Sequence, residues 1–207
     1  MIFAERQLYR YCTSLAVVSL LCGVLLTYSL LPAFAEDEEE SPKEAVIQQI
    51  VRFIKTKNIK VHDETLKRMA NTVYDESKLY ELDYRLVLAV IRVESNFKHD
   101  AVSRKGAQGL MQIKPSLAKY IAKDVGISCN GRDCLNEPEN NIKLGVYHLS
   151  RLMEDFKDTA IALHAYNTGP AKVKGKLFNK DNEPKNRFAK HVLSEYHKNI
   201  EVLPDTE

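Results

Sequence analysis

Glu94 is the residue whose position most readily suggests chemistry. It follows Leu86, Val87, Leu88, Ala89, Val90, Ile91 and Val93, an apolar run broken only by Arg92, and it opens onto an irregular stretch at residues 95–100. A carboxyl group carried out of an interior in this way is partly desolvated, which disfavours its charged form and raises its pKa. A carboxylic acid still protonated near neutral pH can donate a proton to a leaving oxygen. Taken by position alone, the plainer alternative of a solvated glutamate at a helix end is the better one, because most glutamates are solvated. Downstream, Gly106 and Gly109 allow positive φ or a close backbone approach beside that carboxyl; the alternative is an ordinary surface turn.

Cysteine and histidine offer less. Cys129 and Cys134 enclose Asn130-Gly131-Arg132-Asp133, a turn-forming stretch, and in an oxidising compartment they are expected to pair. A zinc site would need two further ligands, and neither His148 nor His164 makes a recognisable pattern with these cysteines. The six histidines fit no HExxH arrangement. No metal and no cofactor is expected.

The elements that must position Glu94 are helical. Asp83 is placed to cap the apolar helix that ends at Glu94, and Asp63 to cap a preceding one with Leu66, Met69, Ala70, Val73 and Tyr74 on one face. Pro115 in a first turn and Gly126 past an end bracket another helix. Asn136 is expected to cap the next, which carries Ile142, Gly145, Val146, Leu149, Leu152, Met153 and Phe156. Residues 159–166 and 188–196 complete the set, the latter with Phe188, Val192 and Tyr196 four apart. No stretch alternates at period two and no repeat appears, so the class is mainly α.

The chain has 207 residues, with 30 Lys and Arg against 28 Asp and Glu, which allows one domain plus something small. A net charge of +2 with no basic block gives no footprint for nucleic acid, and none is expected as a partner. Arg6 and Arg10 precede a charge-free stretch over residues 11–35 that closes on Ala33-Phe34-Ala35, the pattern of a cleavable export signal. An uncleaved anchor is the alternative, since residues 13–31 just reach bilayer-spanning length. Membrane contact is expected only through that anchor. Both readings put the remainder in the periplasm or another extracytoplasmic space. The expected division is a signal peptide at 1–35, an extension with a short helix bearing Ile47, Ile50, Val51 and Ile54 at 36–62, and a catalytic domain at 63–207.

Three blocks, in order, carry a resemblance: Glu94-Ser95-Asn96-Phe97 running through Ala101-Val102-Ser103 to Gly106-Ala107-Gln108-Gly109-Leu110-Met111-Gln112-Ile113; Asn141-Ile142-Lys143-Leu144-Gly145; and Ala165-Tyr166-Asn167-Thr168-Gly169. Over residues 65–200 the sequence resembles the lytic transglycosylases of the soluble-lytic-transglycosylase type, relatives of the goose-type lysozyme fold. Lys114, Ser116 and Phe188 depart from the usual pattern.

The resemblance implies a helical, lysozyme-like domain with a substrate groove and a peptidoglycan lytic transglycosylase activity. It makes Glu94 the single catalytic acid and then base. It places Met111, with Leu110, as an apolar wall by that acid, although core filling is the better bet for Met111 on spacing alone. Tyr166 is expected to bring its hydroxyl to the Glu94 carboxyl while its ring contacts sugar. Ser103, Gln112 and Asn167 are short polar groups suited to orienting an acetamido sugar. The rival readings are a hydrolytic lysozyme using Asp100 or Glu139, and a non-catalytic peptidoglycan-binding envelope protein. Peptidoglycan glycan strands are the expected partner; a cell-envelope or secretion assembly is a further one that the 36–62 extension would serve.

Overall fold

The computed structural model describes residues 41–129, 132–174 and 186–205, without the side chain of Arg132. The expected signal segment, residues 1–35, and the acidic stretch 36–40 lie outside the described residues.

Helix α1 spans Pro42–Lys55, where the Ser41 hydroxyl accepts from the Glu44 amide and Pro42 occupies the first turn, where its missing N–H costs nothing. Ile47, Ile50 and Ile54 fall on its buried face. Helix α2, Asp63–Leu79, buries Leu66, Met69, Ala70 and Val73. Its N-cap is His62 rather than Asp63, which sits one residue inside and faces Lys55 in an ion pair. Helix α3, Tyr84–Ser95, starts as expected from Asp83, whose carboxylate accepts from the Arg85 amide at 2.8 Å. Every residue from Tyr84 to Ile91 except Arg85 is buried.

Helix α4, Pro115–Ile121, tightens into a 3-10 turn over Ala122–Val125 and stops at Gly126, φ +68°. Short helix α5, Arg132–Asn136, ends where Asn136 was expected to begin the next helix. Pro138 explains the difference: it takes the first helical position of α6, Pro138–Phe156, and so fixes the N-cap at Glu137. Helix α7, Thr159–Thr168, is capped by Asp158 accepting from the Ile161 amide; α8 is Pro170–Lys174; and α9, Arg187–Val202, is capped by Asn186.

Among the described residues there is no strand, only isolated antiparallel bridges of Gln108 with Val102 and with Ile113. No described helix is long and apolar enough to cross a membrane. Helix α3 runs through the centre, packed on α9 and α2; α6 packs on α2 and α7, and α7 also meets α9. Helix α1 lies against α2, and its three isoleucines belong to the same core cluster as α3. A stretch read from sequence as part of an N-terminal extension is therefore built into the core in the structure. The reason is its stripe of isoleucines, an apolar face that is buried in the core cluster.

Candidate active site

Helix α3 delivers Glu94 one residue before its end, half-buried. The chain then turns through two successive left-handed residues, Asn96 at φ +53° and Phe97 at φ +60°. Phe97 holds this turn in place: it is fully buried, edge-on to Phe53 of α1 at 6.5 Å between ring centroids. Beyond it the loop folds on itself. The Ser103 amide donates to the Ala107 carbonyl at 2.9 Å, the Ala107 amide to Ser103 Oγ at 3.0 Å, and the Gly109 amide to the Ala101 carbonyl at 2.9 Å. Gln108 and Ile113 exchange backbone bonds, both at 3.0 Å.

Asn141 fastens this loop to α6. Fully buried, its Oδ1 accepts from the Met111 amide at 2.8 Å while Nδ2 donates to the carbonyls of Gln108 and Leu135, both at 2.9 Å. Gly109 has to be glycine for two reasons: its φ is +76°, and a Cβ there would overlap Asn141 Nδ2 and the Leu135 carbonyl. Gly145, one helical turn beyond Asn141, leaves the space that Met111 Sδ fills. Sequence reasoning placed Asn141 in a motif without giving it a role. A lone amide on an otherwise apolar helix face was the available signal, since a buried amide must find partners.

The candidate residues divide between loop support and open groups. Met111 is fully buried and packs into the gap above Gly145, so its side chain fills core and its backbone carbonyl is what reaches the site. The Tyr166 hydroxyl was expected to meet the carboxyl of Glu94. Instead it donates at 2.8 Å to the carbonyl of Met111, a residue whose own amide is held by Asn141 Oδ1. The Tyr166 ring stacks on Phe188 at 6.5 Å and lies 5.3 Å from the ring of His148, which the sequence raised only as a metal ligand to be set aside. Gln112, at φ +51°, spends both amide hydrogens on the carbonyls of Ala101 and Gly109, which leaves Oε1 as its free acceptor. Ser103 Oγ accepts from Ala107 and keeps its proton to donate. Asn167 is exposed at the end of α7. Cys129 and Cys134 are joined in a disulfide, the pairing expected in an oxidising compartment.

The electrostatics follow from burial. Desolvation pushes the Glu94 carboxyl up to about 7. Burial also holds the Tyr166 phenol well above its ordinary value, with a smaller contribution from the charge of Glu94, and presses His148 down to about 4, so its imidazole is neutral. Glu139, weighed as a second carboxylate, is taken up in an ion pair with Arg68 at 2.8 Å, and Asp100 is exposed. The site thus presents one carboxyl that holds its proton up to about pH 7, neutral aromatic neighbours and a few outward-facing hydrogen-bonding groups.

Comparison with known proteins agrees in fold and family. Residues 71–189 match the family described as "Transglycosylase SLT domain". The soluble lytic murein transglycosylase of Salmonella typhimurium is 36% identical over 101 residues, which is 48% of this chain and 16% of that protein. The membrane-bound lytic murein transglycosylase C of Mannheimia succiniciproducens is 31% identical over 144 residues, 64% of this chain and 40% of the relative. The chain therefore spans well under two thirds of these relatives. Among solved structures, the lytic transglycosylase Slt of Pseudomonas aeruginosa superposes with a TM-score of 0.56 at 22% identity, covering 78% of this chain and 36% of that one. The 70 kDa soluble lytic transglycosylase of Escherichia coli gives 0.54, also at 22% identity, covering 79% and 31%.

Proposed function

The chain belongs to the transglycosylase SLT domain family, and from that premise we propose that it is a peptidoglycan lytic transglycosylase acting outside the cytoplasm, with Glu94 as its single catalytic carboxyl. The observation that carries this reading is the Glu94 carboxyl pushed up to about 7 by burial at the end of α3.

Ordinary glycosidases divide acid and base or nucleophile work between two carboxyl groups. Here one group does both. Protonated Glu94 donates to the glycosidic oxygen between N-acetylmuramic acid and N-acetylglucosamine, and the bond to muramic C1 breaks. The sugar's own 2-acetamido group stabilises the positive charge that develops at C1. Glu94, now ionised, accepts the proton of the muramic 6-hydroxyl as that oxygen attacks C1 and closes a 1,6-anhydro ring. Water is not consumed, and proximity of the 6-hydroxyl takes the place of an activated water. A pKa near 7 suits a group that must give up a proton and take one back in a single turnover.

The supporting roles follow from the free atoms. Gln112 Oε1 accepts from the acetamido N–H, the Ser103 hydroxyl donates, and Asn167 contacts substrate from the end of α7. Tyr166 is a positioning residue through its bond to the Met111 carbonyl. The disulfide is consistent with an oxidising, extracytoplasmic compartment.

Mass spectrometry of the soluble products released from purified peptidoglycan tests the reading. The expected products are muropeptides lighter by one water than hydrolysis products, absent with Glu94→Gln. Reducing-end products would mean a lysozyme-type hydrolysis, and binding without release by a folded protein would mean a non-catalytic role.

A further inference from the structure

Asn141 gathers three backbone groups under the loop beside Glu94, and one of them, the Leu135 carbonyl, comes from outside both that loop and α6. It belongs to α5, a helix of five residues. Helices shorter than about 12 residues do not hold themselves together, so the place of this carbonyl is set by whatever pins α5. The fit around it is close. It accepts from Asn141 Nδ2 at 2.9 Å, and a Cβ on Gly109 would stand 2.5 Å from it, so the loop backbone lies directly against it.

Two restraints pin α5. The Leu135 side chain is fully buried in the core cluster, which holds the helix to the domain. The residue before it, Cys134, is bonded to Cys129, itself buried in the same cluster. This second restraint is covalent and adjacent to the Leu135 carbonyl, so it fixes the direction in which that carbonyl points. The path onward is continuous: the carbonyl meets the Asn141 amide, Asn141 Oδ1 holds the Met111 N–H, and the Met111 carbonyl accepts the Tyr166 hydroxyl. Cys134 is only half-buried, beside exposed Asp133, so the pair sits at the edge of the core and is not sealed within it.

We propose that the Cys129–Cys134 disulfide is a redox-sensitive brace of the loop beside Glu94 and, resting on the function proposed above, that opening it slows glycan cleavage while the domain stays folded. The opening is thiol–disulfide exchange with a dithiol. One thiolate attacks a cysteine sulfur, the S–S bond breaks, and a mixed disulfide forms with release of the other cysteine as thiolate. The second thiol of the reagent then displaces the remaining cysteine. The protein takes up two electrons and two protons as two thiols, and the dithiol leaves as its own disulfide.

The test uses the full chain, oxidised and after treatment with dithiothreitol, beside the double variant Cys129→Ser/Cys134→Ser. Amide hydrogen exchange is followed at Met111 and at residues 88–91 of α3, together with cleavage of glycan strands. Reduction is expected to speed exchange at Met111 about tenfold or more, as a local opening, while residues 88–91 stay protected. It is expected to lower kcat/KM by about ten- to a hundredfold, the scale for groups displaced by about 1 Å. Reoxidation should restore both. The double variant should match the reduced chain and not respond to dithiothreitol, which separates this pair from Cys12 and Cys22. Unchanged exchange at Met111 would overturn the brace. So would equal loss of protection at residues 88–91, which would make the disulfide a support of the whole domain, or a loosened Met111 with cleavage unchanged. An oxidised chain that cleaves nothing would sink the proposed function, and exchange at Met111 would still decide whether the disulfide braces the loop.

Discussion

At the scale of single residues, Glu94 trades stability for chemistry, and the sign of that trade is measurable. Its carboxyl is raised from an ordinary value of 4.5 to about 7 by burial, so the folded state holds its proton more tightly than the unfolded chain does. Below pH 4.5 both states are protonated and nothing is lost. Between pH 4.5 and 7 the unfolded state ionises first, so the stability contribution falls as pH rises, reaching a penalty of at most about 3 kcal/mol above pH 7. Glu94→Gln removes the titration. The variant is therefore expected to be more stable than the parent at pH 8 and to converge with it near pH 4, measured as denaturant midpoints across pH. A variant that is less stable at pH 8 would mean that the ionised carboxylate has a partner holding it. The same pKa predicts that cleavage falls about tenfold per pH unit above 7, as the acid form is lost.

At the scale of elements, the site depends on how one loop is tied to one helix. Asn141 makes three bonds from a fully buried position, and truncating it strands the Met111 amide and the carbonyls of Gln108 and Leu135 together. Asn141→Ala is expected to cost about 2–5 kcal/mol in urea unfolding, from unsatisfied buried groups at about 1–3 kcal/mol each with partial relief from water. Activity should fall further than the folded fraction does, because the Met111 carbonyl that receives the Tyr166 hydroxyl would lose its fixed position. A loss of activity matching only the folded fraction would show that the loop keeps its shape without this amide.

The same scale shows what sequence made legible. Asp83, Gly126 and the apolar run of α3, interrupted only by Arg92 before Glu94, each signal through a single local rule, and each sits where that rule puts it. Asn136 obeys a local rule too, but the Glu137–Pro138 pair defines the actual start, since a proline ring fixes the first turn more firmly than a side chain that accepts one bond; at α2 the N-cap falls one residue before Asp63, at His62. Tyr166 and Met111 could not be resolved from sequence. Whether a phenol reaches a carboxylate or a backbone carbonyl is decided by tertiary distances, and the void at Gly145 that Met111 fills arises only when loop and helix meet.

At the scale of the whole described domain, α1 decides where the folding unit begins. Ile47, Ile50 and Ile54 are between 0% and 1% exposed and share a core with the helix that carries Glu94. Burying such a side chain is worth about 1.5–3 kcal/mol, so the three together rival the 5–15 kcal/mol that holds a typical domain folded. Phe53 of the same helix touches Phe97, the buried anchor of the left-handed turn after Glu94. Removing residues 36–62 should therefore do more than delete an appendage: the remaining chain is expected to lose cooperative thermal unfolding or to melt far below the parent. Ile50→Ala gives a graded version, expected to cost about 2–5 kcal/mol through the cavity it leaves. If the truncated chain instead unfolds cooperatively near the parent's melting temperature and still cleaves peptidoglycan, α1 is dispensable and the domain begins at α2. If Ile50→Ala is costly, the isoleucine stripe of α1 belongs to the same cooperative unit as the catalytic helix.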